Sequence, residues 1–168
     1  MKKTIIILAL LMSFVSCKGQ EKYKVEPKVF SEKALADVFL DTEGNDIAFS
    51  KILETYKGKQ IVIDVWASWC RDCIIGMPKV KTLQANNKET VFVFLSLDKS
   101  ESAWKRGVKK HNQEAEHYYM KSGWKGDFAT FLNLDWIPRY LVVDKIGNIA
   151  VFRAIKADDK KIQSALEI

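Results

Sequence analysis

The chain has 168 residues, 48% hydrophobic and 29% charged, a balance ordinary for one globular domain and too apolar for a disordered chain. Its net charge of +6 comes from 27 Lys and Arg against 21 Asp and Glu scattered along the sequence, with no dense basic block to mark a nucleic-acid footprint. Three cysteines are too few for a disulfide-stapled mini-domain, and one long apolar run, at the extreme N-terminus, excludes a polytopic membrane protein.

Met1-Lys2-Lys3 is positive, Thr4 to Val15 is largely apolar and Ser16 is small, which is the layout of a secretory signal. The apolar run falls short of the roughly 20 residues of a permanent membrane-spanning helix. Phe14-Val-Ser-Cys17 resembles a bacterial lipoprotein box, with Phe14 where Leu is usual. That resemblance implies removal of residues 1–16 and lipidation of Cys17; a plain signal peptide and an uncleaved anchor are the alternatives. Cleavage removes Lys2 and Lys3 and lowers the net charge from +6 to +4. The protein is then expected outside the cytoplasm, where disulfides persist. Residues 17–32 read as the lipidated cysteine and a polar tether, and residues 33–168 as the domain.

Residues 37–49 hold two apolar runs around a Glu-Gly-Asn-Asp core, a hairpin signal. Ser50 is placed to cap a short helix, Lys51 to Tyr56, which Gly58 ends. Ile61 to Trp66 is a continuous apolar run broken by Asp64, as expected of a strand buried on both faces. A helix follows over 70–86 with Pro78 inside it, where the missing N–H is expected to kink it. Val91 to Leu97 is a second buried strand, and Ser100 to His111 and Asp127 to Leu134 read as helices. Arg139 to Asp144 and Ile149 to Arg153 are strands around the turn Lys145-Ile-Gly-Asn148, and Lys156 to Ile168 is a closing amphipathic helix. The order predicts an α/β domain: a central mixed β-sheet with helices on both faces, preceded by an N-terminal β-hairpin.

The chemistry concentrates at Trp69-Cys70-Arg71-Asp72-Cys73. On the first turn of a helix this spacing puts both sulfurs on one face, within disulfide reach. Unpaired N–H groups and the helix dipole favour the thiolate of Cys70, and the thiolate is the nucleophile. Cys73, one turn deeper, is placed to attack a mixed disulfide formed on Cys70. The alternative is half a zinc site completed by His111 and His117, but the stretch from Cys73 to His111 is far longer than finger-type spacings. The histidines are expected on a solvated helix and loop, and neither a metal nor another cofactor beyond a Cys70–Cys73 disulfide is expected.

Asp64-Val-Trp-Ala-Ser-Trp-Cys-Arg-Asp-Cys73, with Pro78 five residues on and Ile137-Pro138 before a strand, resembles thioredoxin. The signal segment, hairpin and Cys17 narrow the resemblance to TlpA/ResA-like extracytoplasmic thiol–disulfide oxidoreductases, over residues 34–168. It implies a thioredoxin fold, a proton-shuttling role for Asp64 toward Cys73, and a cis peptide at Pro138. That peptide is expected to set the Ile137 backbone beside Cys70, where it could pair with an extended substrate. Asp64 facing a polar edge, or satisfied by a neighbour's amide, is the other reading of that residue, and without the resemblance an X-Pro bond is expected to be trans. Trp69 is expected to frame the sulfurs, with Arg71 and Ile137 beside the substrate, and Trp66 to belong to the core. Tyr118, Tyr119 and Trp124, placed between two helices, read either as ordinary packing or as a docking patch.

One departure is Asp72, where the family usually has Pro. Its charge opposes the adjacent thiolate while Arg71 supports it. The expected activity is reduction of extracytoplasmic protein disulfides by a membrane-tethered monomer resupplied by a membrane thiol donor, as the resemblance to reductases of cytochrome c maturation implies. The same sulfurs run backwards make an oxidase or isomerase. A thiol peroxidase is disfavoured, since Ile63 and Ala67 stand where peroxiredoxins carry Pro and Thr or Ser. A non-catalytic binding lipoprotein has no need of the cysteine pair.

Overall fold

A computed structural model describes residues 25–112 and 114–167; the expected signal segment and Cys17 lie outside them. The elements run α1 (Glu32–Ala36), β1 (Val38–Leu40), β2 (Asp46–Ala48), α2 (Phe49–Thr55), β3 (Ile61–Trp66), α3 (Arg71–Asn86), β4 (Val91–Ser96), α4 (Glu101–His111), β5 (Glu116–Met120), a 3-10 turn at Gly123–Lys125, α5 (Asp127–Phe131), β6 (Arg139–Val143), β7 (Ile149–Ala154) and α6 (Lys160–Leu166). Seven strands form one mixed sheet in the order β2-β1-β5-β4-β3-β6-β7. Strands β3, β4 and β5 are parallel neighbours, and β6 and β7 continue the sheet antiparallel from β3. Every residue of β3 is buried, as its near-continuous apolar run requires of a strand flanked on both edges. Among the described residues no helix is long and apolar enough to cross a membrane.

The N-terminal hairpin forms as predicted. Asp41 Oδ1 accepts from the backbone N–H groups of Glu43 and Asn45, at 2.9 and 2.8 Å, and Gly44 takes the left-handed φ of +95° that closes the turn. The hairpin does not stand apart, because β1 pairs with β5. Strand β5 is the element the sequence reading lacked: the segment between α4 and α5 holds a strand parallel to β4. Helix α1, capped by Ser31, was also unforeseen, and contact with the domain begins ahead of it. The Ile149 N–H donates to the Lys28 carbonyl at 2.8 Å, and Phe30 packs into an aromatic cluster with Phe49 and Phe128. Helix α2 starts at Phe49 with Ala48 as a cap lacking a side-chain bond, so Ser50 lies inside the helix and does not cap it. Helix α6 starts at Lys160, where Asp159 supplies the cap, and not at Lys156.

Candidate active site

Strand β3 ends at Trp66, whose carbonyl accepts from Leu97 N–H at 2.8 Å, and Ala67-Ser68-Trp69 turns the chain into α3. Two features fix this turn. The buried Asp98 carboxylate accepts the Ser68 N–H through both oxygens at 3.2 Å, the Ser68 hydroxyl at 2.6 Å and the Ser96 hydroxyl at 2.8 Å. From the other side α4 presses close: a Cβ on Gly107 would lie 2.4 Å from Ser68 Cβ, so only glycine fits there without displacement. Cys70 is thereby delivered as the N-cap of the 16-residue α3. Its Sγ accepts the Cys73 N–H at 3.1 Å and is joined to Cys73 in a disulfide, both residues being buried. A sulfur at a helix N-terminus with a backbone N–H aimed at it is one whose negative charge is stabilised. Pro78 lies inside α3, which continues through it.

The loop before β6 supplies the opposite wall. The Ile137–Pro138 peptide is cis, and Cys70 Sγ stands 3.7 Å from the Ile137 carbonyl oxygen. Arg139 follows with a side chain wholly inside the protein. It donates back to the Leu132 carbonyl at 3.1 Å and to Asp135 Oδ1 at 2.7 Å, tying both ends of the loop together. Asp135 also meets Arg153 at 3.1 Å. Partial burial would raise the Asp135 carboxyl, but Arg153 and Arg139 hold it below the ordinary range.

Asp64, in the middle of β3, is buried, and removal from water pushes its carboxyl up from 3.8 to about 8. Oδ1 has no hydrogen-bond partner among the described residues. Its cross-strand neighbours are Phe94 on β4 and Tyr140 on β6, and the Tyr140 hydroxyl, not an amide, supplies the hydrogen bond that offsets part of this rise.

Around the disulfide the surface is aromatic. Trp69, Trp124 and Trp136 are 51%, 41% and 59% exposed and, with Cys70 and Ile137, line a groove of about 430 Å³. Arg71 and Asp72 sit exposed at its mouth. Trp66 is core, as expected. The aromatic segment divides: Tyr118 is buried on β5 with its hydroxyl 3.1 Å from that of Tyr56, Tyr119 stacks on Trp104 at 5.8 Å, and Trp124 belongs to the groove. The expectation for the histidines needs correction: His117 is buried on β5 against Phe94, and His111, ending α4, meets Trp66 edge to face. Sequence reasoning singled out Trp124 as a candidate docking residue but grouped it with Tyr118 and Tyr119, not with the cysteines, and it missed Trp136, Asp98, Arg139 and Tyr140 altogether. Only Trp136 carries a local signal, directly ahead of Ile137-Pro138.

A sulfur pair joined in a disulfide, with one member at a helix N-terminus and a groove over it, is arranged for exchange between dithiol and disulfide. Fold and site together define a thiol–disulfide oxidoreductase. The chain belongs to the thioredoxin-like family, whose profile matches residues 58–149. It is 28% identical over 163 residues to the thiol-disulfide oxidoreductase ResA of Bacillus thuringiensis subsp. konkukian, covering 95% of this chain and 89% of that protein. The thioredoxin-like protein YneN of Bacillus subtilis is 23% identical over 168 residues, covering 97% of this chain and 95% of its own length. A crystal structure from Bacteroides vulgatus, described as that of a thiol-disulfide oxidoreductase, superposes with a TM-score of 0.63 at 28% identity, over 82% of this chain and 98% of that one.

Proposed function

We propose that this oxidoreductase is a membrane-tethered reductase of extracytoplasmic protein disulfides. The observation that carries the reading is the position of Cys70 Sγ, capping α3 and accepting the Cys73 N–H at 3.1 Å beneath an open groove. The Cys70 thiolate attacks one sulfur of a substrate disulfide, and the other substrate sulfur leaves as a thiolate. The Cys73 thiol passes its proton to Asp64 and attacks Cys70 Sγ, and the second substrate sulfur leaves as a thiolate. The substrate gains two electrons and the protein closes its disulfide, which a membrane thiol donor reopens. The substrate segment runs along the Ile137 backbone between Trp69 and Arg71. Paired cysteines of apocytochromes c are substrates of this class.

The direction rests on the resemblance to reductases, with Asp72 and Arg71 acting in opposite senses on the potential: the Asp72 carboxylate disfavours the thiolate-bearing reduced form and makes the couple more reducing, while the Arg71 guanidinium beside Cys70 favours it. The tether in this reading is lipid on Cys17. A Cys73→Ser variant exposed to cell-envelope proteins is expected to accumulate mixed disulfides on Cys70, with adducts identified by mass spectrometry. The potential against glutathione is expected near about −270 mV; a value near about −120 mV makes the protein an oxidant, and absence of any adduct sinks exchange altogether.

A further inference from the structure

Asp64 is enclosed on every side, yet a group that accepts a proton in each turnover must also return it. Of its two register partners, Phe94 offers no polar atom and Tyr140 offers a hydroxyl. Register partners on adjacent strands share a face of the sheet. Tyr140 Oη lies 3.5 Å from where a Cβ on Gly76 would stand, so this is the face under α3, the helix that carries Cys73. Because Gly76 has no side chain, the space beyond the hydroxyl stays open. Tyr140 and Gly76 both line a second groove of about 270 Å³, bounded by Pro138, Ile155 and Ala157, which meets the first groove at Asp72 and Trp136.

We propose that Tyr140 is a positioning residue for Asp64: its hydroxyl donates to the carboxylate, holds it beneath α3 and joins it to the groove beyond Gly76. This rests on the dithiol-exchange reading above. When Cys73 attacks Cys70, its proton moves to the Asp64 carboxylate. The carboxylate is restored when that proton passes to Tyr140 Oη while the tyrosine's own proton passes to water in the groove, so one proton leaves and the hydroxyl is regenerated. Burial, and then the charge of Asp64, raise the Tyr140 hydroxyl above its ordinary value, so it stays protonated: it donates to the carboxylate at rest and turns its hydrogen toward the groove to accept from the protonated carboxyl during the relay. The titratable and charged groups around this pair are Cys73, Asp72 and Lys79 from α3, and Lys156 and Asp158 from the segment between β7 and α6. Lys79 and Asp158 are paired at 2.5 Å, which leaves Lys156 and Asp72 at the groove's edge.

The test uses the reduced full-length protein and an aromatic disulfide that releases a coloured thiol twice, once on attack by Cys70 and once on resolution by Cys73. The rate of the second release is followed from pH 5 to 10. In the wild type it is expected to rise through a midpoint that Asp64→Asn abolishes. Tyr140→Phe, which keeps the ring, is expected to move the midpoint up by about one unit and to slow the second release about tenfold near neutrality, since the lost hydrogen bond favours the carboxylate. In the Asp64→Asn background the same substitution is expected to change nothing. An unmoved midpoint in Tyr140→Phe, or an equal effect with and without Asp64, overturns the proposal and leaves exchange standing. A wild-type profile that Asp64→Asn does not alter also overturns it. Absence of a second release in the wild type overturns both readings.

Discussion

Replacing Asp64 with asparagine is expected to change how stability responds to pH, and the structure fixes the sign. In the folded, oxidised protein burial of β3 on both faces pushes the carboxyl up from 3.8 to about 8, the hydrogen bond from Tyr140 offsetting only part of the rise. Between these values the folded state holds a proton that the unfolded chain has released, so unfolding releases a proton and stability falls as pH rises. Each unit is worth about 1.4 kcal/mol, so the loss accumulated between pH 4 and 8 is on the order of 5 kcal/mol, a large share of a domain's total. Below pH 4 both states are protonated and the contribution vanishes; above pH 8 it is constant. Asparagine does not ionise. Its buried amide carries a fixed cost of about 1–3 kcal/mol, and that cost is the same at every pH. Urea denaturation of the oxidised protein and of Asp64→Asn, from pH 4.5 to 8.5, is therefore expected to give curves that separate progressively in the variant's favour. Parallel curves, or a wild type that gains on the variant toward alkaline pH, would refute the reasoning.

Two further perturbations address the turn that carries Cys70. Asp98→Asn retains one acceptor but loses the charge that three donors share, and is expected to cost about 1–3 kcal/mol in denaturant unfolding and to slow exchange at Cys70. Gly107→Ala places a Cβ 2.4 Å from Ser68 Cβ and is expected to cost about 1–3 kcal/mol; Ser68→Gly in the same chain removes the clash and is expected to recover part of the loss, read as a shift in thermal midpoint.

The parts of the fold legible in the sequence are those with a strong local pattern. Strands β3 and β4 are near-continuous apolar runs, interrupted only by Asp64 in β3 and ended by Ser96 in β4, and the two hairpins announce their turns. The Cys70 and Cys73 spacing, after a strand and opening a helix, specified the disulfide and its place at the N-terminus of α3. Strand β5 was not legible: Glu116-His-Tyr-Tyr-Met120 is five residues long and owes its burial to β4 on one edge and β1 on the other, which only the assembled sheet provides. For the same reason His117 is buried although Glu116 beside it is exposed. The aromatic groove was half legible. Trp69 adjoins Cys70, but Trp124 and Trp136 arrive from a turn and a loop remote in sequence. Asp98 and Arg139 resemble ordinary strand-end charges until the turn and the loop they bind are in place, and Tyr140 becomes meaningful only once the register sets it opposite Asp64.

The central claim is that Cys70, capping α3 with the Cys73 N–H directed at its sulfur, is the thiolate of the pair. Alkylation of the reduced protein by iodoacetamide as a function of pH, with each cysteine resolved by mass spectrometry, tests it most directly. The account predicts that Cys70 reacts with a midpoint well below the roughly 8.5 of a free thiol, and Cys73 above it. Modification of Cys73 ahead of Cys70, or a Cys70 midpoint at or above that of a free thiol, would contradict it.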